Sequence, residues 1–253
     1  MNRSDVVIVG GGIVGLATAM QLQSRYTDIS VTIVEAEASV GRHQSGHNSG
    51  VLHSGIYYKP GSRKAINCRV GKAAMEAFCT EHRITWDACG KVVVATLESE
   101  LQLLEKIAER ATANGVGFER INTDQLRELE PAAAGIAALH VPETGIVNFL
   151  SVCKKMAEMV TSRRGKITFG FNLANIESLA GGLRLQSRNG ETIECGQMIN
   201  CAGLQSDRVC RMAGVETDIR VVPFRGEYYE LAEGSQSLCR NLIYPVPDPS
   251  FPF

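Results

Sequence analysis

Along this chain, short apolar runs that end in glycine alternate with longer stretches where apolar residues recur every three or four positions. Asp5-Val6-Val7-Ile8-Val9 is almost wholly β-branched and runs into Gly10. That is the pattern of a strand buried on both faces. Residues 16–25 are rich in Ala, Leu, Met and Gln and read as a helix, and Val31-Thr32-Ile33-Val34 supplies a second strand that stops at Glu35. Together they predict a βαβ unit of about thirty residues with a right-handed crossover.

The rest of the chain mixes both periods. Residues 41–61 are glycine-rich and irregular, and residues 63–81 have helical periodicity with Ala65, Cys68, Val70, Ala74 and Phe78 as core positions. A strand is expected over 91–96, an amphipathic helix over 98–114 and a short strand near Phe118. Residues 122–130 predict a short helix, capped by Thr123 or Asp124 and ended before Pro131. Another helix is expected over 148–163. Strand-like pieces follow at 167–171, 173–178, 182–187 and 191–194, with Arg188-Asn189-Gly190 as a turn. A buried strand over 197–201, a short helix over 207–212 and a strand over 221–231 complete the reading. No repeat or Pro/Ser-rich linker divides the chain, so its domains are expected to interleave.

Composition narrows the function. The 253 residues suit one large domain or two modest ones, and 44% hydrophobic with 21% charged residues is ordinary for a globular chain. A formal net charge of −1 gives no reason to expect nucleic acid or an anionic membrane as partner, and the single Trp86 gives no platform for stacked bases. The eight cysteines are scattered without a C-x-x-C pair, so no metal site is expected and reduced, cytoplasmic thiols are. The start of the chain predicts no secretory leader, and no run approaches the ~18 apolar residues of a membrane span. Peripheral contact with an inner membrane stays open.

Gly10, Gly12 and Gly15 fit G-x-G-x-x-G between strand and helix. The first permits the turn, the second lets backbone approach a pyrophosphate, and the third brings helix and strand close. Ile13 and Val14 lie at the helix N-terminus, whose N–H groups and positive dipole end favour a phosphate. Glu35, with Ala36 beside it, ends the second strand, where a carboxylate can accept from ribose hydroxyls; Glu37 is a substitute. An acid at this position disfavours NADP. The bland alternative is a tight turn without a ligand.

Met198-Ile199-Asn200-Cys201-Ala202-Gly203 is an apolar strand that ends in small residues. Ala202 and Gly203 would let backbone pass the cofactor a second time. That late element suits a flavoprotein better than an NAD domain, with Leu173 a candidate contact from the strand pair before it. With GGGIVG, GHNSGVLHSGIYY, PETGIVN, INCAGLQSDRV, PFRGEYYEL and LIYPVPDPSFPF, the chain resembles the FAD-dependent oxidoreductases related to D-amino-acid oxidase and glycerol-3-phosphate dehydrogenase. Within them it is similar to the L-2-hydroxyglutarate dehydrogenase/oxidase group. The resemblance implies an α/β fold: a Rossmann-like FAD-binding domain (1–85 and 145–219) with an interleaved, mainly antiparallel substrate domain (86–144 and 220–253) that is incomplete. Family members continue beyond this length, so the chain is expected to be a fragment or a shortened form.

The resemblance also gives the histidine-rich loop a purpose. Gln44, Ser45, Asn48, Ser49 and Gly50 would line the cofactor, and His53 and Tyr58 would lie nearer the flavin ring and the substrate. Oxidation of a 2-hydroxy acid needs a base for the hydroxyl proton, and histidine titrates close to working pH. The alternatives for His53 are a loop-organising residue and a flavin contact without proton transfer. His43 and His82 are expected to face solvent, His47 to bond the loop backbone, and His140 to lie at the surface or to hydrogen-bond locally. Strand alternation would place Arg225, Glu227 and Tyr229 on one face, where Arg225 could grip a carboxylate; the alternative is a solvated strand-edge arginine paired with Glu227. Tyr57 and Tyr228 are further hydroxyl candidates. The implied activity is FAD-dependent oxidation of L-2-hydroxyglutarate to 2-oxoglutarate, with electrons passed to a quinone, another respiratory-chain acceptor or oxygen. The alternatives are an amine or D-amino-acid oxidase and a non-catalytic nucleotide-binding fragment.

Overall fold

The computed structural model describes residues 3–248. It divides into two compact units, Met1–Ser49 with Phe149–Gly226, and Gly50–Asn148 with Glu227–Phe253. Residues 50–85 and 145–148, grouped with the cofactor domain by sequence, fall in the second unit, and 220–226, grouped with the substrate domain, in the first; Val51–Leu52 pairs in the second unit with the strand Gly145–Val147.

The first unit is a six-stranded sheet in the order Leu173–Leu179, Gly182–Ser187, Thr192–Asn200, Arg3–Val9, Val31–Val34, Lys166–Thr168. Arg3–Val9 pairs in parallel on both sides, Val9 opposite Val34 and opposite Asn200. Its Val7 and Ile8 are wholly buried, as a strand covered on both faces requires. Helix Ile13–Arg25 follows, buries Gly15, Leu16 and Ala19, and returns the chain to Val31–Val34. The expected βαβ unit is therefore present.

Thr192–Asn200 is one nine-residue strand where sequence suggested two pieces. Its first half pairs antiparallel with Gly182–Ser187 (Leu183 opposite Cys195), and its second half pairs in parallel with Arg3–Val9. Gly196 permits the shared path, since a Cβ there would stand 3.1 Å from the Asp5 carbonyl oxygen. Val7, Val9, Val34, Phe171, Leu185, Ile193, Cys195 and Val209 form the core on one side of this sheet.

The second unit contains the four-stranded sheet Leu242–Pro245, Lys91–Ala95, Ala137–Val141, Glu119–Asn122 and the three-stranded sheet Val51–Leu52, Gly145–Val147, Trp86–Asp87. All pairs are antiparallel except Leu242–Pro245 with Lys91–Ala95. Val93, Ala95 and Leu139 face helix Leu101–Ala113 in one core, and Val92, Val94 and Ala138 face Ile121 and Leu126 in another. Buried Glu130 accepts from Arg240 N (3.0 Å), Asn241 Nδ2 (2.8 Å) and Asn241 N, which pins the entry to Leu242–Pro245.

Helix Arg63–Glu81 forms where expected, started by the Ser62 side chain. Its buried positions are Ala65, Lys72 and Cys79, whereas Val70 and Ala74 are exposed. A helix with small or apolar residues around much of its circumference leaves the inward face undetermined by period alone. Helix Thr123–Leu129 is capped by Asn122 in a reciprocal box with Gln125, one residue before the expected cap. Residues 221–231 form no strand. The proposed alternation of Arg225, Glu227 and Tyr229 therefore has no basis, because no ladder fixes two faces.

Candidate functional site

In the first unit three strand ends meet. Gly10 N donates to Val34 O (2.9 Å) and Cys201 N donates to Val9 O (2.9 Å), so the carboxyl ends of the parallel strands lie side by side. In doubly wound sheets this is the edge that takes a ligand. Gly10 turns away at φ 111°, and a Cβ on it would stand 2.3 Å from the Cys201 carbonyl oxygen. A Cβ on Gly15 would stand 2.0 Å from Gly10 O, so helix and turn touch backbone to backbone. The two glycine-bearing segments, residues 10–15 and 201–203, converge.

The start of helix Ile13–Arg25 has no capping side chain of its own, because Gly12 is its N-cap. Instead Ser45 Oγ accepts from Ile13 N at 2.9 Å. Ser45 is held in turn by Asn48, whose Nδ2 donates to Gln44 O (3.0 Å) and Ser45 O (2.9 Å). The loop of Gln44, Ser45 and Asn48 is thus folded against the helix start, while Val14 and Ser49 are exposed and Gly50 opens the second unit.

Glu35 is buried, and its carboxylate is anchored by backbone: Oε2 accepts from Gly11 N (2.6 Å) and Oε1 from Glu37 N (2.9 Å). A carboxylate offers about four acceptor sites, so two backbone bonds leave capacity for ribose hydroxyls. Ala36 is exposed beside it, and Glu37 pairs with His43 (3.0 Å). Asn200 shapes the opposite wall. Its Nδ2 donates to Ser206 O (2.8 Å), and its Oδ1 accepts from Ala202 N (3.2 Å), ahead of exposed Gly203. Asn200 was not singled out from sequence, although an amide inside an apolar strand end was a visible signal. Leu173 packs at the edge of the core containing Val9 and Phe171. These residues fit a dinucleotide: a turn without room for Cβ atoms, a helix start capped only by a neighbouring hydroxyl, and an oriented acid.

The second unit holds the other half of the histidine loop. Gly55 O and Tyr58 O accept from Asn114 Nδ2 (3.1 and 2.9 Å), and Tyr57 O accepts from Arg110 (3.3 Å). His53 is exposed as a residue, yet its imidazole is lowered below its ordinary 6.5, first by partial desolvation and then by the Lys91 charge, so it is neutral near pH 7. Its carbonyl accepts from Cys68 Sγ at 3.2 Å. Burial raises the Tyr58 hydroxyl, and Lys64 Nζ lies 4.7 Å from the centroid of its ring. Lys91 is fully buried, and its Nζ sits 4.4 Å from the ring centroids of both Tyr57 and Tyr244. Lys91 was not foreseen either. Strand period two puts it on the face of Val93 and Ala95, which was the available signal.

Arg225 is exposed near the end of the first unit, on a stretch without helix or strand. Of the remaining histidines, His43 is exposed and His47 Nδ1 bonds His43 O (3.1 Å). His82 departs from expectation: it is mostly buried, with its ring edge-on to Phe78 at 4.5 Å. His140 is mostly buried and lies 3.7 Å from Glu119, a local polar contact rather than an open surface position. Among the described residues no group of His, Cys, Asp and Glu could hold a metal ion, none of the eight cysteines is paired, and no helix is long and apolar enough to cross a membrane.

The pattern of the FAD dependent oxidoreductase family, DAO, matches residues 5–253. The chain is 42% identical over 249 residues to an L-2-hydroxyglutarate dehydrogenase of Escherichia coli K12, covering 98% of the chain and 59% of that protein. It is 45% identical over 251 residues to one from Indibacter alkaliphilus (98% and 63%), and 40% identical over 261 residues to the mitochondrial one of Homo sapiens (98% and 56%). The chain thus spans about three-fifths of the length of these relatives. Among solved structures, FAD-bound L-alpha-glycerophosphate oxidase of Mycoplasma pneumoniae matches with TM-score 0.82 at 25% identity, over 98% of this chain and 66% of that one. Glycine oxidase of Geobacillus kaustophilus matches with TM-score 0.81 at 21% identity, over 97% and 66%, a likeness of fold alone. Cradle geometry and family pattern agree with the resemblance read from GGGIVG and INCAGLQSDRV: the chain belongs to the FAD dependent oxidoreductase family.

Proposed function

We propose that this chain provides the FAD cradle and part of the substrate site of an enzyme that oxidises L-2-hydroxyglutarate to 2-oxoglutarate. The observation that carries the substrate is the 40–45% identity, along 98% of the chain, to L-2-hydroxyglutarate dehydrogenases. The cradle supports the cofactor. Backbone at Gly10 and Gly12, with the amides of Ile13 and Val14, would meet the diphosphate; Glu35 would accept from the ribose; Ala202 and Gly203 would close the far side. Bound FAD supplies an acceptor for the two electrons leaving the substrate's α-carbon.

The protein's own part is binding and proton handling. His53, held neutral by desolvation and by Lys91, would take the proton of the substrate hydroxyl, and its depressed basicity keeps it ready at neutral pH. Tyr58 would remain a hydroxyl donor, since burial raises its proton affinity. Arg225 would contribute a cation from an exposed segment. A quinone, another respiratory-chain carrier or oxygen would then take the electrons from the reduced cofactor.

Anaerobic titration of the FAD-loaded protein tests the reading. L-2-hydroxyglutarate should bleach the flavin absorbance, whereas glycine and D-amino acids should not. Bleaching by the amino acids alone would assign an amine oxidase instead.

A further inference from the structure

Lys91 raises a problem that cofactor binding does not explain. It opens the strand Lys91–Ala95, paired with Val141 on one side and Leu242 on the other, and its residue is fully buried. Among the described residues its Nζ has no hydrogen-bond partner, and neither has the buried hydroxyl of Tyr57. These two orphaned donors belong to one cluster, because Nζ lies 4.4 Å from the centre of the Tyr57 ring, with Tyr244 at 4.4 Å as a second wall.

The rings satisfy only part of what an ammonium loses on leaving water. A cation over an aromatic face regains only part of its lost hydration, and a buried charge without a partner stays costly. Three N–H donors still lack acceptors. Leucine or methionine would fit the apolar face shared with Val93 and Ala95 without that cost. A cation with a nearby hydroxyl, both dry and both donor-capable, matches an anion with two acceptor oxygens.

We propose that Lys91 Nζ and Tyr57 Oη form a carboxylate-binding subsite, which takes a carboxylate of the 2-hydroxy acid. The choice of that acid rests on the proposed function; the carboxylate chemistry rests on the two donors. The loop that carries His53 also carries Tyr57, so base and anion site would share one rigid turn pinned by Asn114. Burial lowers the Lys91 ammonium to about 8, and burial raises the Tyr57 hydroxyl. The groups facing them are His53, Cys68 and Tyr244. A bound carboxylate would push the Lys91 midpoint back up.

Side-chain NMR titration of Lys91 in the parent protein tests this without a variant. Glutarate, a dicarboxylate with no hydroxyl to oxidise, should raise the midpoint above about 8. Calorimetry should show glutarate binding weakened by roughly thirtyfold or more in Lys91→Met and less severely in Tyr57→Phe. A midpoint that glutarate leaves unmoved, or equal affinity in a folded Lys91→Met protein, overturns the subsite and leaves the two donors to buried water. Failure of the functional reading looks different. If L-2-hydroxyglutarate bleaches parent and Lys91→Met flavin with the same KM, the activity stands and the subsite falls. If it bleaches neither while glutarate still moves Lys91, the subsite stands and the activity falls.

Discussion

Replacing Gly10 with alanine would separate the cradle's geometry from ordinary turn strain. The residue sits at φ 111°, and a Cβ on it would stand 2.3 Å from the Cys201 carbonyl oxygen and 2.9 Å from its carbon. Cys201 cannot retreat alone, because its N–H is bonded to Val9 O at 2.9 Å and the two strands are in register through Val9 and Asn200. Backbone strain contributes about 1–3 kcal/mol, and displacing packed backbone about 1–3 more. The sum, about 2–6 kcal/mol, is a large part of a typical folding free energy of about 5–15. Gly61→Ala is the control: its φ is 73°, but no described residue lies within 4 Å of a Cβ there, so only about 1–2 kcal/mol of strain is expected. Urea unfolding followed by circular dichroism compares the two, and quenching of flavin fluorescence follows FAD binding. Gly10→Ala should have the lower urea midpoint and bind FAD more weakly, whereas Gly61→Ala should bind it as the parent does. Equal midpoints for the two variants, or parental FAD affinity in Gly10→Ala, would refute the reasoning.

Three further outcomes follow from other parts of the structure. Glu35→Gln puts an NH2 group against the Gly11 or Glu37 amide, so it should lose about 1–3 kcal/mol of stability and weaken FAD binding; thermal melts with and without FAD read both effects. Glu130→Ala leaves the Arg240 and Asn241 amides without their acceptor, for a loss of about 2–4 kcal/mol, and hydrogen exchange at Leu242 should accelerate while Val7 stays protected. Because the His53 midpoint lies below 6.5, its neutral form persists under mildly acidic conditions, so the acid limb of flavin reduction should lie below pH 6.5 and rise in Lys91→Met, where the repelling charge is gone. The same sign makes this group destabilising as pH falls through 6.5, since the unfolded chain then binds the proton more readily. An acid limb that stays put in Lys91→Met would remove Lys91 from the electrostatics of His53.

The parts of the fold legible in the sequence are those where local pattern and tertiary role coincide. A β-branched run, a glycine triplet and an acid at the next strand end gave the βαβ unit, because each feature is required by the turn and the double-sided burial. Helix Arg63–Glu81 was legible in extent, but its buried face was not: Lys72 is inside, beside Glu76 (2.5 Å) and Glu143 (3.8 Å), while Val70 faces out. Ion pairing across a helix surface leaves no trace in hydrophobic period. Thr192–Asn200 read as two strands because its polar middle looks like a turn, yet one strand serves an antiparallel neighbour and then a parallel one. Residues 221–231 have strand composition, but β propensity without a paired edge does not make a ladder. Lys91 escaped notice because sequence readings assign lysine to solvent, whereas the strand's alternation puts it on the same face as Val93.

The central claim is that the glycine turn, Glu35 and the Ala202 strand end hold the diphosphate of a flavin dinucleotide. Quenching of flavin fluorescence on titration of the purified chain tests it most directly. FAD should bind and be displaced by ADP, while FMN and riboflavin, which lack the adenosine diphosphate, should bind far more weakly. FMN binding as tightly as FAD, or FAD that ADP cannot displace, would contradict it.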